Sequence, residues 1–204
     1  MKFFLSALAA PLFLLSTAGC AQGPLAPTTQ ASQSVVSNTS GSFLYSTECI
    51  TEAEVIKAQQ AWGDGIVRIG KAFTEGGDYR QAAVDHIQAT YAYDLSSVLF
   101  KPTLASVNQF RGSFDGALSY FVGGNESYPE DKGFAINPWT KVRWENSGII
   151  NNSCTTAIAM GNYYFTPATG AEVKVEYVLG FVKDVNNDLR IVIHNSALPY
   201  DPDA

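Results

Sequence analysis

The sequence predicts an α+β fold in which helices pack on one face of a curved antiparallel sheet. Apolar residues recur at helical spacing between residues 51 and 121, whereas strand-like runs dominate after Pro138. The chain has 204 residues, 46% of them hydrophobic, which is enough for one full core and too little for two. Helices that precede a run of strands are typical of a single α+β domain.

The start of the chain has the parts of an export signal. Lys2 is followed by an apolar stretch from Phe3 to Leu15 and then by small residues. The ending Ala18-Gly19-Cys20 resembles a bacterial lipoprotein box, although Thr17 stands where leucine is usual. We therefore expect residues 1–20 to be a lipoprotein-type signal peptide, with ordinary cleavage beside Cys20 as the alternative. The protein would then be exported to the periplasm and tethered to a bacterial membrane.

A polar segment separates this signal from the rest of the chain. Residues 21–42 are rich in Ser, Thr, Gln, Pro and Gly, without charge or apolar periodicity. Such a segment cannot offset its ordering entropy by burial, so we expect a flexible linker. One globular domain, residues 43–204, follows it.

If Cys20 is the lipid anchor, two cysteines are left to pair, Cys49 and Cys154, and both lie in the predicted domain. In an oxidising compartment a disulfide between them is the simplest interpretation. Two separate buried thiols are the alternative, because the sequence does not show how close the two backbones come.

Two helices open the domain. Thr51 and Glu54 form a capping box, and Gly76-Gly77 ends the first helix. Glycines inside that helix, among them Gly65, indicate close packing or a bend. Asp78 can cap the second helix. The apolar stripes of the two helices are Val55, Ala58, Trp62, Ile66, Ile69 and Phe73, then Tyr79, Ala83, Ile87 and Tyr91.

Shorter elements and a set of strands follow. A strand at residues 97–100 is stopped by Pro102, and a helix at residues 113–121 is ended by Gly123-Gly124. The remaining strands are predicted at residues 141–150, 155–166, 172–183 and 189–193, with a turn at residues 186–188 before the last. No internal repeat is present.

The last strand carries one of the two histidines in the chain. Period-two geometry sends the side chains of Arg190, Val192, His194 and Ser196 to one face. An imidazole and a hydroxyl would then point the same way at the end of a buried strand. His194 could be catalytic or structural, and spacing alone favours neither. His86, beside the apolar stripe of the second helix, is better explained as a histidine at the edge of the core.

Several kinds of chemistry lack their sequence signals. The formal charge of −6 disfavours nucleic-acid binding. A zinc site of three histidines is excluded by number, and the three cysteines are too far apart for a zinc motif. No carboxylate cluster has the spacing of a manganese or magnesium site. The G-x-S-x-G, phosphate-loop and G-x-G-x-x-G motifs are also missing.

Five blocks taken together resemble the iota-class carbonic anhydrases, and they span nearly the whole domain. They are W-G-D-G-I-V from Trp62, F-K-P-T-L-A from Phe100, G-A-L-S-Y-F from Gly116, A-M-G-N-Y-Y-F from Ala159 and H-N-S-A-L-P-Y from His194. The resemblance implies an NTF2-like cone, in which a strongly bent sheet wraps around helices. It also implies reversible hydration of carbon dioxide to bicarbonate in a pocket inside that cone.

The resemblance carries four site residues onto this chain: Thr103, Tyr120, His194 and Ser196. We expect Ser196 and Thr103 to hold the attacking water, His194 to orient it or accept its proton, and Tyr120 to stabilise the developing oxyanion. Candidates for apolar walls are Trp62, Ile66 and Phe100.

The closing block departs from the family pattern H-H-S-S at two positions. Asn195 replaces the second histidine and Ala197 the second serine, and alternation points both side chains away from the pocket. Family members are divided between manganese-dependent and metal-free types. Because the paired histidines are missing, we expect no cofactor here, although the sequence does not exclude manganese or zinc. A homodimer is the family expectation.

Two other functions stay open from the sequence. The domain could be a ligand-binding or oligomerisation module without catalysis, because one fold hosts many functions. It could also be an isomerase or cyclase that uses a buried carboxylate as base, for which Asp64 and Asp85 are the candidates. A solvated helix face explains these two aspartates more simply.

Overall fold

The structure is a computed structural model that describes residues 45–203. The predicted signal peptide, residues 1–20, and linker, residues 21–42, lie outside the described residues. Three α-helices, one short 3₁₀ helix and five strands occur in the described part of the chain. They are α1 (Glu52–Thr74), α2 (Tyr79–Thr90), β1 (Leu99–Lys101), α3 (Phe114–Val122), the 3₁₀ helix (Phe134–Ile136), β2 (Trp139–Ile150), β3 (Thr156–Pro167), β4 (Val173–Lys183) and β5 (Leu189–Ala197).

Helices α1 and α2 begin at the predicted caps. The Thr51 hydroxyl accepts from the Glu54 backbone N–H at 3.3 Å, and the Glu54 carboxylate accepts from the Thr51 N–H at 2.8 Å. Asp78 accepts from the Gln81 N–H at 2.9 Å and thereby caps α2, and Ser113 caps α3 in the same way. These bonds satisfy N–H groups that the first helical turn leaves without partners, which is why the helices start at these residues.

Gly65 marks a close contact between α1 and α2. A Cβ atom on Gly65 would lie 2.1 Å from Nδ1 of His86, so the imidazole fits only because the glycine has no side chain. The predicted close packing is therefore confirmed. His86 is 2% exposed, and neither of its ring nitrogens has a hydrogen-bond partner among the described residues. Burial lowers the pKa of His86 to about 3, which keeps the imidazole neutral in the core.

The five strands form one sheet in the order β1-β5-β4-β3-β2. Strands β2 to β5 are antiparallel, as predicted, whereas β1 runs parallel to β5 with Phe100 opposite His194. The predicted run of antiparallel strands is therefore present, and the short strand β1 adds one parallel pair to the sheet. Tight hairpins force neighbouring strands to be antiparallel, but β1 and β5 are separated by most of the domain, and this constraint does not apply to them.

The sheet covers a core rich in aromatic side chains. Register shifts lie between Asn146 and Gly148 in β2 and between Gly180 and Phe181 in β4, and such bulges bend a sheet. The helices contact the inner face, chiefly through α1 against β2 and α2 against β5. The largest fully buried side chains on this side include Trp62, Tyr91, Phe121, Phe165 and Tyr177.

Cys49 and Cys154 are joined in a disulfide, the first of the two interpretations left open by the sequence. The bond connects the segment before α1 to the turn between β2 and β3, and the Ile50 N–H donates to the Cys154 carbonyl at 2.8 Å. In the chain-entropy account, a loop of 105 residues makes such a bond worth about 4.7 kcal/mol. Between residues 45 and 203, no helix is both long and apolar enough to cross a bilayer.

Candidate active site

A small cavity lies between the helices and the inner face of the sheet. Its volume is about 10 Å³, close to the room that one water molecule needs. The cavity is lined by Trp62, Phe100, Thr103, Tyr120, Phe121, Phe134, Tyr163, His194 and Ser196. All four site residues expected from the sequence are therefore brought together around one space.

Thr103 and Ser196 meet because β1 and β5 are parallel neighbours. Lys101 pairs with Asn195, so the chain just after β1 lies beside the end of β5. Pro102 follows β1 and has no N–H to continue the ladder. The Thr103 hydroxyl then lies 2.9 Å from Ser196 Oγ and donates a hydrogen bond to it.

The end of β5 alternates as predicted. His194 and Ser196 are buried and line the cavity, whereas Asn195 between them is exposed. Arg190, predicted on the same face, does not line the cavity. Its guanidinium donates to Asp184 and Asp94, because the register shift opposite Gly180 and Phe181 interrupts the alternation along β5.

Tyr120 enters the cavity wall from α3. Its ring stacks on Phe134, with centroids 5.5 Å apart and planes at 16°. Tyr120 is buried, with 6% of its surface exposed. Burial raises the pKa of the Tyr120 phenol, so the hydroxyl stays protonated and can donate.

His194 is held on both sides of its ring. Nδ1 lies 2.7 Å from the Tyr91 hydroxyl, and Nε2 lies 3.4 Å from the Tyr163 hydroxyl. The imidazole also stacks on Phe100, with ring centroids 4.9 Å apart. Burial, with a smaller contribution from His86, lowers the pKa of His194 to about 3. The ring is therefore neutral at pH 7.

Tyr163 is a further cavity residue, which could not be predicted from spacing. It lies on β3 in the A-M-G-N-Y-Y-F block, where Tyr163, Tyr164 and Phe165 are all aromatic, so no alternation in the sequence distinguishes it. Burial raises its pKa, and hydrogen bonding to Ser196 and Thr103 opposes this in part.

The apolar walls differ from the expected set at one position. Trp62 and Phe100 line the cavity, but Ile66 does not. Ile66 is fully buried elsewhere in the core, one turn farther along α1. Phe121 and Phe134 complete the walls instead. The 3₁₀ helix that carries Phe134 has no strong periodicity, so spacing in the sequence does not identify it.

The lining residues favour one kind of chemistry. None of the nine is a carboxylate, lysine or arginine. The two phenols are held protonated and the imidazole neutral, so the polar part of the wall consists of uncharged hydrogen-bond donors and acceptors. Such a site can hold water and a small apolar molecule and can stabilise a developing anion.

Two alternative chemistries find no support in the described residues. Asp64 and Asp85 are exposed and accept hydrogen bonds from Gln60 and Gln81, so neither is the buried base that an isomerase or cyclase needs. Within residues 45–203, no group of three or more His, Cys, Asp or Glu side chains is placed to hold a metal ion.

Comparisons with known proteins agree with the resemblance noted in the sequence. Residues 53–198 match the family model described as metal-independent carbonic anhydrase. A metal-independent carbonic anhydrase of Nostoc sp. (strain PCC 7120 / SAG 25.82 / UTEX 2576) is 43% identical over 155 residues, which are 74% of this chain and 75% of that protein.

Solved structures match as well. The crystal structure of the iota-carbonic anhydrase from a cyanobacterium, complexed with bicarbonate, aligns with a TM-score of 0.73 and 42% identity over 75% of this chain and 94% of that chain. An NTF2-like protein from Shewanella oneidensis MR-1 aligns with a TM-score of 0.42 and 12% identity over 71% of this chain and 97% of that chain. The family-model match covers more than half of the chain, and the curated relative is 43% identical. The chain therefore belongs to the metal-independent carbonic anhydrase family.

Proposed function

We propose that this protein catalyses the reversible hydration of carbon dioxide to bicarbonate and a proton in this small cavity, without a metal ion. The observation that carries the proposal is the convergence of Thr103, Tyr120, His194 and Ser196 on one space with aromatic walls. Family membership and the bicarbonate complex of the cyanobacterial relative support it.

The walls suit the substrate. The faces and edges of Trp62, Phe100 and Phe121 surround the cavity, and carbon dioxide is a small molecule without a net dipole. Transfer of an apolar solute from water into such a site is favourable. The polar side of the cavity can hold the second reactant, water. Because the cavity has room for only about one water molecule, both reactants fit together only when side chains of the wall move apart.

The paired hydroxyls of Thr103 and Ser196 position that water. Because Thr103 donates to Ser196, the Ser196 hydroxyl hydrogen is free to bond a second partner. The water oxygen forms a bond to the carbon of carbon dioxide. Its proton passes to Ser196 Oγ while the Ser196 proton passes to a substrate oxygen. The product is carbonic acid, which ionises to bicarbonate and a proton when it leaves.

The phenols stabilise the charge that builds up on the substrate oxygens. Burial raises the pKa of both Tyr120 and Tyr163, so both phenols stay protonated and remain hydrogen-bond donors. Fixed donors in a site without bulk water act as an oxyanion hole, and removal of one such donor typically costs about 100- to 1,000-fold in rate.

Two roles were open for His194: it could orient the attacking water or accept its proton. We assign it the first role. A ring with a pKa of about 3 is a poor proton acceptor at pH 7. A zinc enzyme obtains its nucleophile by lowering the pKa of bound water to about 7. Here, positioning and hydrogen bonding replace that effect.

The route of entry runs through the stack of Tyr120 on Phe134. These two residues line the cavity and also line a half-open surface groove of about 570 Å³, together with Leu104 and Trp139. A bulky maleimide on Leu104→Cys, in a Cys20→Ser background, should therefore reduce kcat/KM for hydration. The same label on Val107→Cys, an exposed position of the same loop outside the groove, serves as the control. Equal effects at the two positions would contradict this route.

Stopped-flow measurement of carbon dioxide hydration by chelator-treated protein tests the function. We expect a rate well above that of buffer and no further gain on addition of manganese or zinc. Bicarbonate binding without any rate above buffer would instead favour the binding-module alternative. Activity that returns only with added metal would refute the metal-free mechanism.

We also propose a homodimer formed through the outer face of the sheet. An apolar row crosses this face through paired positions of the five strands: Ile150, Ile158, Gly180, Ile193 and Leu99. Ile150 and Leu99 are 60% and 66% exposed. Contiguous exposed apolar surface of this kind is typical of protein interfaces. Light scattering should give twice the chain mass, and Ile158→Glu should reduce it to one chain, whereas Glu176→Ala should not.

We further propose export and lipid anchoring through Cys20. The disulfide between Cys49 and Cys154 supports an oxidising compartment, because such bonds are rare in the cytosol. The mass of the mature N-terminus should correspond to a lipidated cysteine at position 20. An unmodified N-terminus beside Cys20 would instead indicate ordinary cleavage.

A further inference from the structure

We infer that Tyr91 is a positioning residue for the cavity: its hydroxyl donates to Nδ1 of His194 and holds the imidazole in the tautomer that carries its proton on Nε2. Tyr91 does not line the cavity, so it acts only through His194. The effect on rate rests on the proposed function, whereas the tautomer itself does not.

The Trp62 side chain fixes the direction of the two hydrogen bonds of the Tyr91 hydroxyl. The indole Nε1 of Trp62 lies 3.1 Å from the Tyr91 hydroxyl, and an indole N–H can only donate. The Tyr91 oxygen therefore accepts from Trp62. Its own hydrogen still needs a partner, because Tyr91 is 1% exposed and an unpaired buried donor is costly. Among the described residues, that partner is Nδ1 of His194 at 2.7 Å.

The position of the imidazole proton follows in turn. A neutral imidazole carries one N–H and one acceptor nitrogen. Because Nδ1 accepts from Tyr91, the proton of the neutral ring must lie on Nε2. This nitrogen faces Tyr163, 3.4 Å from its hydroxyl, on the cavity side of the ring. With the proton on Nε2, the ring donates to the Tyr163 oxygen, and the Tyr163 hydrogen is left to bond a substrate oxygen.

The backbone holds Tyr91 in register with the strand that carries His194. Tyr91 follows α2 and forms an isolated bridge with Ile191 of β5, and the Ala92 N–H donates to the Ile191 carbonyl at 3.0 Å. The Arg190 guanidinium donates to the Tyr91 carbonyl at 2.6 Å. The phenol and the imidazole are therefore fixed to the same strand, three residues apart along β5.

Nitrogen NMR can read the tautomer directly, because the chain contains only two histidines, His86 and His194. In protein labelled with ¹⁵N-histidine, we expect His194 to show a protonated Nε2 and an unprotonated Nδ1 that is shifted by an accepted hydrogen bond. His194→Gln assigns the signals. A protonated Nδ1, or an Nδ1 with the shift of a free ring nitrogen, would overturn the inference even if no Tyr91 variant folds.

Variants connect the tautomer to the rate. Tyr91→Phe should populate the Nδ1–H tautomer and lower kcat/KM by about tenfold to 100-fold, the range typical when a metal-bound histidine loses the partner that orients it. Tyr93→Phe is the matched control, because Tyr93 stacks on Tyr91 but donates to the Arg111 carbonyl. It should leave both the tautomer and the rate unchanged.

The outcomes separate the two proposals. A loss of rate in Tyr91→Phe with an unchanged His194 tautomer would show a merely structural role and overturn the inference. A wild-type protein with the expected tautomer but without hydration activity would refute the proposed function and leave the hydrogen-bond assignment standing.

Discussion

The Thr103 hydroxyl lies 2.9 Å from Ser196 Oγ, although the two residues are 93 positions apart in the chain. The contact joins the end of β1 to the end of β5, and it depends on the parallel pairing of those two strands. It also places two hydroxyls at the polar side of an otherwise aromatic cavity. In the proposed mechanism this pair holds the attacking water.

Ser196→Ala should lower kcat/KM for hydration by about 100-fold or more, because it removes both the hydrogen bond to the water and the proton relay. Asn195→Ala is the control on the same strand, since Asn195 is exposed and points away from the cavity. Stopped-flow hydration and thermal unfolding should be measured on both. Similar activities for the two variants would remove Ser196 from the mechanism.

Tyr120→Phe should lower kcat with little effect on KM, because the phenol interacts with charge that develops only in the transition state. Tyr164→Phe provides a comparison, since the Tyr164 hydroxyl donates to Glu145 on the exposed side of β3. Steady-state kinetics of the two variants separates kcat from KM. An unchanged kcat in a folded Tyr120→Phe protein would contradict the oxyanion-hole role.

The pH dependence of hydration should be nearly flat between pH 6 and 9, within about twofold for kcat/KM. Burial lowers the pKa of His194 to about 3 and raises the pKa of Tyr120 and Tyr163 above that of a free phenol. None of these groups changes charge in this range. A sigmoidal profile with a midpoint near pH 7 would show that a titrating group, or a metal-bound water, takes part.

Acid should destabilise the fold below about pH 6.5. His86 and His194 have pKa values of about 3 when folded and about 6.5 when unfolded. Between these values the unfolded chain binds more protons, so the free energy of unfolding falls as the pH falls, by up to about 1.4 kcal/mol per pH unit for each histidine. Urea unfolding at pH 7.5, 6 and 5 measures the slope.

His86→Leu isolates half of this effect. The variant removes a buried imidazole that has no hydrogen-bond partner among the described residues, so it should unfold with about half the wild-type pH slope. Its hydration activity should stay close to that of the wild type, since His86 does not line the cavity. An unfolding free energy of the wild type that is constant from pH 7.5 to pH 5 would contradict the neutral burial of both histidines.

Local features of the fold could be predicted because local physics decides them. Thr51 and Asp78 cap helices through bonds within three residues, and the alternation of His194, Asn195 and Ser196 follows from strand geometry. The family resemblance supplied Thr103 and Tyr120. These two residues lie on separate elements, so spacing alone would not have joined them to β5.

The residue positions that could not be predicted from the sequence depend on tertiary packing. Ile66 has the spacing of a wall residue, yet it packs elsewhere in the core, and Phe134 enters the cavity wall from a three-residue 3₁₀ helix. Tyr91 was predicted in the apolar stripe of α2, because its position fits the helical spacing of that stripe. Its hydroxyl nevertheless bonds His194 across 103 residues of sequence, a contact that no local pattern encodes.

The most direct test of the central claim compares carbon dioxide hydration by metal-stripped wild-type protein and by a metal-stripped Thr103→Val, Ser196→Ala double variant. Stopped-flow rates should be read together with the metal content of each sample and with its circular dichroism. We expect full activity in the stripped wild type and a rate near that of buffer in the folded double variant. Activity that disappears on stripping, or that survives in the double variant, would contradict that claim.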